Sequence, residues 1–176
     1  MTEISPVFDF ARWVEEHGHL LRPPVNNKVM WERTGDFLVQ VVGGPNERTD
    51  FHVDPYEEWF YQIKGNMHVN VMTDEGVRRV DIREGGMWLL PRGLPHSPQR
   101  PEPGSIGIVL ERIREEGTLE KFQWFCLDCE ALVHETELQV RDLVVDLPPV
   151  FEQFYASEQA RTCPKCAAVH PGRKAS

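Results

Sequence analysis

Residues 49–66 read TDFHVDPYEEWFYQIKGN, and residues 85–104 read GGMWLLPRGLPHSPQRPEPG. The first stretch sets His52 a few positions ahead of Glu57 and Glu58, then an aromatic run and Gly65. The second delivers His96 after a strand-like run and a Pro/Gly turn, the way a side chain is turned inward at a strand end. Imidazoles and carboxylates that converge from different strands hold a divalent cation, whereas either stretch alone is an ordinary amphipathic strand. A second set of candidate ligands lies in the tail. Cys126-x-x-Cys129 and Cys163-x-x-Cys166 are chelating turns with the spacing of a four-thiolate metal site. Four sulfurs suit zinc or iron alike, and they fill every coordination position, which favours a structural role.

Two kinds of element must position these groups. Phe10, Trp13, Val14, His17 and Leu21 recur at helical spacing until Pro23-Pro24, which predicts one amphipathic N-terminal helix. From Val29 to Arg112 the texture changes to short runs: FLVQVVGG, EEWFYQIKG, MHVNVMT, VRRVDIR, MWLLP and SIGIVLERI. Turn formers such as Gly43-Gly44, Gly65-Asn66 and Gly85-Gly86 separate them, a pattern that predicts an antiparallel barrel or sandwich. REEGTLEKF then reads as a solvated charged connector. A strand-like ALVHETELQV and a helix over LPPVFEQFYASEQA fill the interval between the cysteine pairs. The expected organisation is therefore an N-terminal helix and lead-in (1–28), a β-barrel (29–115) and a cysteine-bearing segment packed on it (116–176). Trp59, Phe60, Tyr61 and Trp88 read as barrel packing, and His17, His19, His68 and His134 as ordinary core or surface histidines.

Composition narrows the function classes. A chain of 176 residues is long enough to bury roughly 70% of its unfolded surface. No apolar run approaches the roughly 20 residues a membrane helix needs. The start, MTEISPVFDF, lacks a basic segment followed by a long apolar one, so no secretory signal is expected and the expected location is the cytoplasm. A net charge of -9 argues against a phosphate-backbone binder, so no nucleic-acid partner is expected.

Taken together, the two histidine-bearing stretches resemble the paired motifs of the cupin superfamily. Gly43 or Gly44, His52-Val53-Asp54, Glu58 and Gly65 follow the first motif; Gly85, Pro91, Gly93 and His96 follow the second. Asp54 stands where the motif has its second histidine, and Arg100 where it has asparagine. The resemblance implies a jelly-roll barrel with His52, Glu58 and His96 as the ligand set; the spacing to His52 and Gly65 prefers Glu58 over Glu57. Two imidazoles and one carboxylate leave positions open for substrate and O₂, the arrangement of non-haem Fe(II) oxygenases. Arg48, Arg100 and Glu111 lie near the ligands in sequence or on the strand that follows them. An arginine in an apolar barrel is costly unless it meets an anion, which points to an anionic substrate. Mutual pairing of Arg100 with Glu111 is the competing reading.

The resemblance then narrows. VVGGPNERTDFHVDPYEEWFYQIKGN, LPHSPQRPEPGS, the cysteine pairs and DLPPVFEQFYASEQARTCPKCAAVHPGR together look like the bacterial form of 3-hydroxyanthranilate 3,4-dioxygenase. That resemblance implies opening of the 3-hydroxyanthranilate ring with O₂ to 2-amino-3-carboxymuconate semialdehyde, which cyclises to quinolinate. It implies Fe(II) on His52, Glu58 and His96, and Arg48 near the O₂ site. Arg100 and Glu111 are implied at the carboxylate and the hydroxyl or amine of the substrate. It further implies a rubredoxin-like second iron on the four cysteines, where spacing alone allows zinc. Asp50 and Glu58 are both candidate proton carriers, and a homodimer is the expected assembly. Two alternatives stay open: a cupin dioxygenase with another substrate, and a non-enzymatic metal-binding cupin sensor.

Overall fold

The computed structural model describes residues 6–21, 26–31 and 34–173. Helix α1 (Phe10–His17) precedes β1 (Asn27–Val29), β2 (Phe37–Gly43), β3 (Phe51–Val53), β4 (Glu58–Lys64), β5 (Met67–Thr73) and β6 (Gly76–Ile82). These are followed by β7 (Met87–Leu90), β8 (His96–Gln99), β9 (Ile106–Arg112), β10 (Glu120–Phe125), β11 (Leu132–Leu138), α2 (Leu143–Ala156) and α3 (Glu158–Arg161). The strands form two antiparallel sheets, β1-β2-β9-β4-β7 and β11-β10-β3-β8-β5-β6. Their inner faces share one apolar core: Val42, Phe60 and Val109 come from the first sheet, and Met67, Val69, Val71 and Ile82 from the second. This is an all-β-dominated, cupin-type antiparallel barrel of the jelly-roll kind.

Side chains alternate between the faces of a strand, so β4 turns Glu58, Phe60 and Gln62 inward and Trp59 and Tyr61 outward. Phe60 is fully buried, as packing requires; Trp59 and Tyr61 lie on the outer face. Part of that outer face is covered by α1, whose Phe10, Trp13 and Val14 pack against Leu21, Val41 and Ile106. The Asp9 carboxylate accepts the Arg12 backbone N–H and caps α1. The helical pattern through Leu21 is shorter than its periodicity suggests: α1 ends at His17 and a 3₁₀ turn, Gly18–Leu20, carries Leu21 into the core. Pro23-Pro24 lies outside the described residues.

The reading of REEGTLEKF as a solvated connector is overturned. Its second half opens β10, which pairs with β3 through Phe122↔His52 and with β11 along its length. Glu120 is fully buried and Phe122 nearly so, while Glu115, Glu116, Gly117 and Leu119 are exposed. A run of charges reads as a solvated face, but strand pairing directs alternate members inward. The tail helix is likewise two: α2 stops at Ala156, and Ser157 caps α3 by accepting the Ala160 N–H. Trp124, Phe122, Val140 and Phe154 make a second core beneath these helices.

Candidate active site

The short strands β3 and β8 pair at a single register position, His52 opposite His96, which sets two imidazoles side by side in one sheet. Glu58 reaches them from the facing sheet, where it stands between Glu111 on β9 and Leu90 on β7. Glu58 Oε1 lies 2.9 Å from His96 Nε2 and 3.4 Å from His52 Nδ1. All three residues are buried, and one donor atom from each falls within 4.8 Å of the others. Cis ligands on an octahedral ion about 2.1 Å away stand about 3 Å apart, so this spacing fits a shared cation.

The far side of each ring settles which nitrogen faces Glu58. His96 Nδ1 donates to the Leu94 carbonyl (3.0 Å), and His52 Nε2 donates to Glu120 Oε2 (2.6 Å). In the neutral tautomer those two bonds select, each remaining nitrogen would offer a lone pair toward Glu58. Despite its two imidazole neighbours, Glu58 Oε1 is a buried oxygen with no hydrogen-bond partner. An anionic oxygen and two lone pairs aimed at one point are what a cation satisfies. The electrostatics agree: burial opposes ionisation of Glu58, but His96 and then His52 hold its carboxyl well below the usual range. Burial also opposes a charged His52, yet its contacts to Glu120 and Glu58 push the imidazole up to about 10. The negative potential that raises His52 would also attract a dication.

Around this cluster runs a polar network that the sequence reading missed. Arg114, 9% exposed at its side chain, donates from Nε and Nη2 to Glu120 (2.9 and 3.0 Å), from Nη2 to Asp54 (2.6 Å) and from Nη1 to Glu111 (2.5 Å). Glu111 also accepts from Gln40 Nε2 (2.9 Å), whose Oε1 accepts from Asn27 (3.1 Å). Asp54, standing at the second-histidine position of the motif, therefore turns to Arg114 and not to Glu58. Burial disfavours the Arg114 charge, but Glu111, Asp54 and Glu120 more than offset it and raise its pKa. Burial and the nearby Glu58 push the Glu111 carboxyl up, against the pull of Arg114. Three buried carboxylates, Asp54, Glu111 and Glu120, thus face one guanidinium. The charge density of REEGTLE, which bears Arg114 and Glu120, masked its inward alternation.

These groups open onto a cavity of ≈370 Å³ walled by Arg48, His52, Glu58, His96, Glu111 and Arg114, with Leu147 and Pro148 of α2 across it. Arg48 points in and pairs with Asp50, both of whose oxygens accept from Arg48 Nε (3.0 Å). Arg100 does not line the cavity; its backbone pairs with that of Asn46, which does. Its side chain is buried with Nε and Nη2 lacking partners among the described residues, and burial lowers its pKa to about 10. The structure does not pair Arg100 with Glu111, whose partners are Arg114 and Gln40. Glu57, next to Glu58, is exposed. His17 stacks on Trp13 and His134 on Phe154, as packing histidines do.

The four cysteines also converge. Cys126 Sγ lies 3.5 Å from Cys166 Sγ and Cys129 Sγ 3.6 Å from Cys163 Sγ, close to the roughly 3.8 Å edges of a sulfur tetrahedron about a metal at 2.3 Å. The two turns repeat one another: Glu130 N bonds Cys126 O and Ala167 N bonds Cys163 O, and Glu130 and Ala167 both have positive φ. The backbone N–H of Cys166, with burial opposing and the N–H of Lys165 adding, pulls the Cys163 thiol down to about 6. Such turns are rubredoxin-like in form.

Fold and site together define a cupin-type barrel with a buried His/Glu/His cluster that could hold a metal ion. The family model for 3-hydroxyanthranilic acid dioxygenase matches residues 1–155. A Burkholderia cenocepacia protein named 3-hydroxyanthranilate 3,4-dioxygenase is 53% identical over 174 residues, 99% of this chain and 98% of that one. Proteins of the same name from Shewanella woodyi (52%, covering 95% of this chain and 88% of that one) and Ruegeria pomeroyi (53%, 95% and 92%) are similarly close. The chain belongs to the 3-hydroxyanthranilic acid dioxygenase family. Among the described residues no helix is long and apolar enough to cross a membrane.

Proposed function

We propose that this chain opens the ring of 3-hydroxyanthranilate with O₂, giving 2-amino-3-carboxymuconate semialdehyde, the precursor of quinolinate. The observation that carries the reading is the orphaned Glu58 oxygen between two imidazole lone pairs on a cavity wall. His52, Glu58 and His96 would hold Fe(II), which when bound supplies chelation of the substrate hydroxyl and amine and a neighbouring position for O₂. Arg48 places a cation where negative charge builds on oxygen. Arg100, a buried guanidinium whose Nε and Nη2 lack partners among the described residues and whose backbone pairs with the cavity-lining Asn46, would turn toward the cavity to provide the charge complement for the ring carboxylate. Glu111 lines the cavity with a raised carboxyl and Asp50 does not line it, so Glu111 takes the substrate hydroxyl proton more readily. The cysteine cluster would hold a second iron, or zinc, as a structural staple.

Two assembly features complete the proposal. Trp59 and Tyr61 lie opposite Leu89 and Met87 on the outer face, and the last two are 52% and 66% exposed beside the open edge of β7. That apolar strip supports a homodimer, and light scattering on the purified protein tests it. A cytoplasmic location accords with four reduced thiols held for a metal. Anaerobic Fe(II) loading followed by O₂ uptake tests the activity. Consumption of one O₂ per 3-hydroxyanthranilate is the expected result, and no uptake with fully loaded protein sinks the reading.

A further inference from the structure

We infer that Glu120 and Arg114 are positioning residues that tie the metal ligand His52 to the cavity carboxylate Glu111. This rests on the proposed metal role of His52, Glu58 and His96. Glu120 is fully buried and meets His52 Nε2 at 2.6 Å, which orients the ring and keeps its other nitrogen on Glu58. A carboxylate on the distal nitrogen of a ligating histidine fixes its tautomer and strengthens its donor nitrogen. Glu120 is in turn held at both oxygens by Arg114.

Arg114 cannot act on Glu120 alone. It makes four bonds to Glu120, Glu111 and Asp54 and a longer one from Nη1 to the Arg112 carbonyl, and the planar fork fixes their mutual angles. Asp54 anchors the guanidinium; without it Nη2 would keep only its bond to Glu120. Glu111 hangs from the opposite nitrogen and presents its carboxylate to the cavity. The same guanidinium also fills the gap inside the His52, Asp54 and Glu120 cluster, three groups that would otherwise be close enough to hold a cation of their own. One rigid cation therefore sets the metal-ligand side and the substrate side of the cavity in register.

The two halves separate experimentally. Glu120→Gln retains shape but not charge, and it should weaken Fe(II) binding 10- to 100-fold while leaving the KM for 3-hydroxyanthranilate at saturating Fe(II) within about two-fold. Arg114→Lys keeps a cation but not the fork; it should weaken Fe(II) binding and also raise KM by 10-fold or more. Affinity is read by anaerobic Fe(II) titration after zinc has been bound at the four cysteines, and folding by far-UV circular dichroism of each variant. If either variant fails to fold, the other decides. Wild-type Fe(II) affinity in every folded variant overturns the inference and leaves the metal reading standing. A wild-type protein that takes up no Fe(II) beyond the cysteine cluster overturns both.

Discussion

Glu57 and Glu58 are chemically identical neighbours, and alternation along β4 separates them: Glu57 is exposed, while Glu58 is 3% exposed and lies between two imidazoles. Removal of one of three protein donors leaves no spare, so Glu58→Ala should abolish O₂ uptake and lower bound metal by about one ion per chain. Glu57→Ala should keep at least half of the wild-type rate; metal analysis and O₂ electrode traces on the pair decide it. Arg100 carries a different kind of signature. A buried guanidinium without a countercharge among the described residues lowers stability in the protein by itself and contributes only when an anion arrives. Arg100→Met should therefore leave the melting temperature unchanged or higher, yet reduce kcat/KM for 3-hydroxyanthranilate about 10- to 100-fold, the equivalent of about 1.5–3 kcal/mol for a charge-assisted contact. On 2-aminophenol, which lacks the carboxylate, variant and wild type should perform alike. Equal discrimination between the two compounds by both proteins would remove Arg100 from the carboxylate.

At the scale of elements, β9 shows how a strand is shaped by what crosses it. A Cβ on Gly107 would lie 2.6 Å from Gln62 Oε1, 3.0 Å from Arg100 Nη2 and 3.2 Å from the Tyr61 carbonyl, so the strand can carry no side chain there. Gly107→Ala should cost about 1–3 kcal/mol through overpacking, roughly 2–12 °C in melting temperature, and should raise KM by displacing Arg100. A normal melting temperature with a normal KM would show that the crossing is slack. β10 is the element that most alters the expected picture. It brings Phe122 flat onto the His52 ring (centroids 4.9 Å apart, 15° between planes) and sets Glu120 beneath it. Phe151 of α2 meets Phe122 edge-on, and Leu147 and Pro148 of the same helix wall the cavity. The tail segment thus packs on the ring that backs His52 and walls one side of the cavity.

At the scale of the whole molecule, the cysteine cluster closes a loop from the end of β10, through α2 and α3, back to the C-terminal segment. There the Gly172 carbonyl accepts from Thr49 Oγ1 just ahead of β3. Cys163→Ser should lose the tail metal but keep the barrel metal. Losing even about 3 kcal/mol, a fraction of what thiolate sites supply, would lower the melting temperature by roughly 6–12 °C, and KM should rise as α2 loosens. Metal content measured alongside turnover checks this; loss of turnover with the barrel metal and fold intact would give the cysteines a part in the chemistry. Much of the molecule follows from local pattern. Period-2 alternation, glycine-marked turns, the two histidine settings and the paired Cys-x-x-Cys turns are properties of short stretches, and they determined barrel, candidate ligands and tail cluster before any coordinates. Tertiary structure alone decided that Asp54 serves Arg114, that Glu120 bonds His52, and that among the described residues Arg100 Nε and Nη2 stand without a partner while Glu111 does not. The fate of a charge depends on which strand lies beside it and how much water remains, and residues as distant as Asp54 and Arg114 meet only when the sheets close.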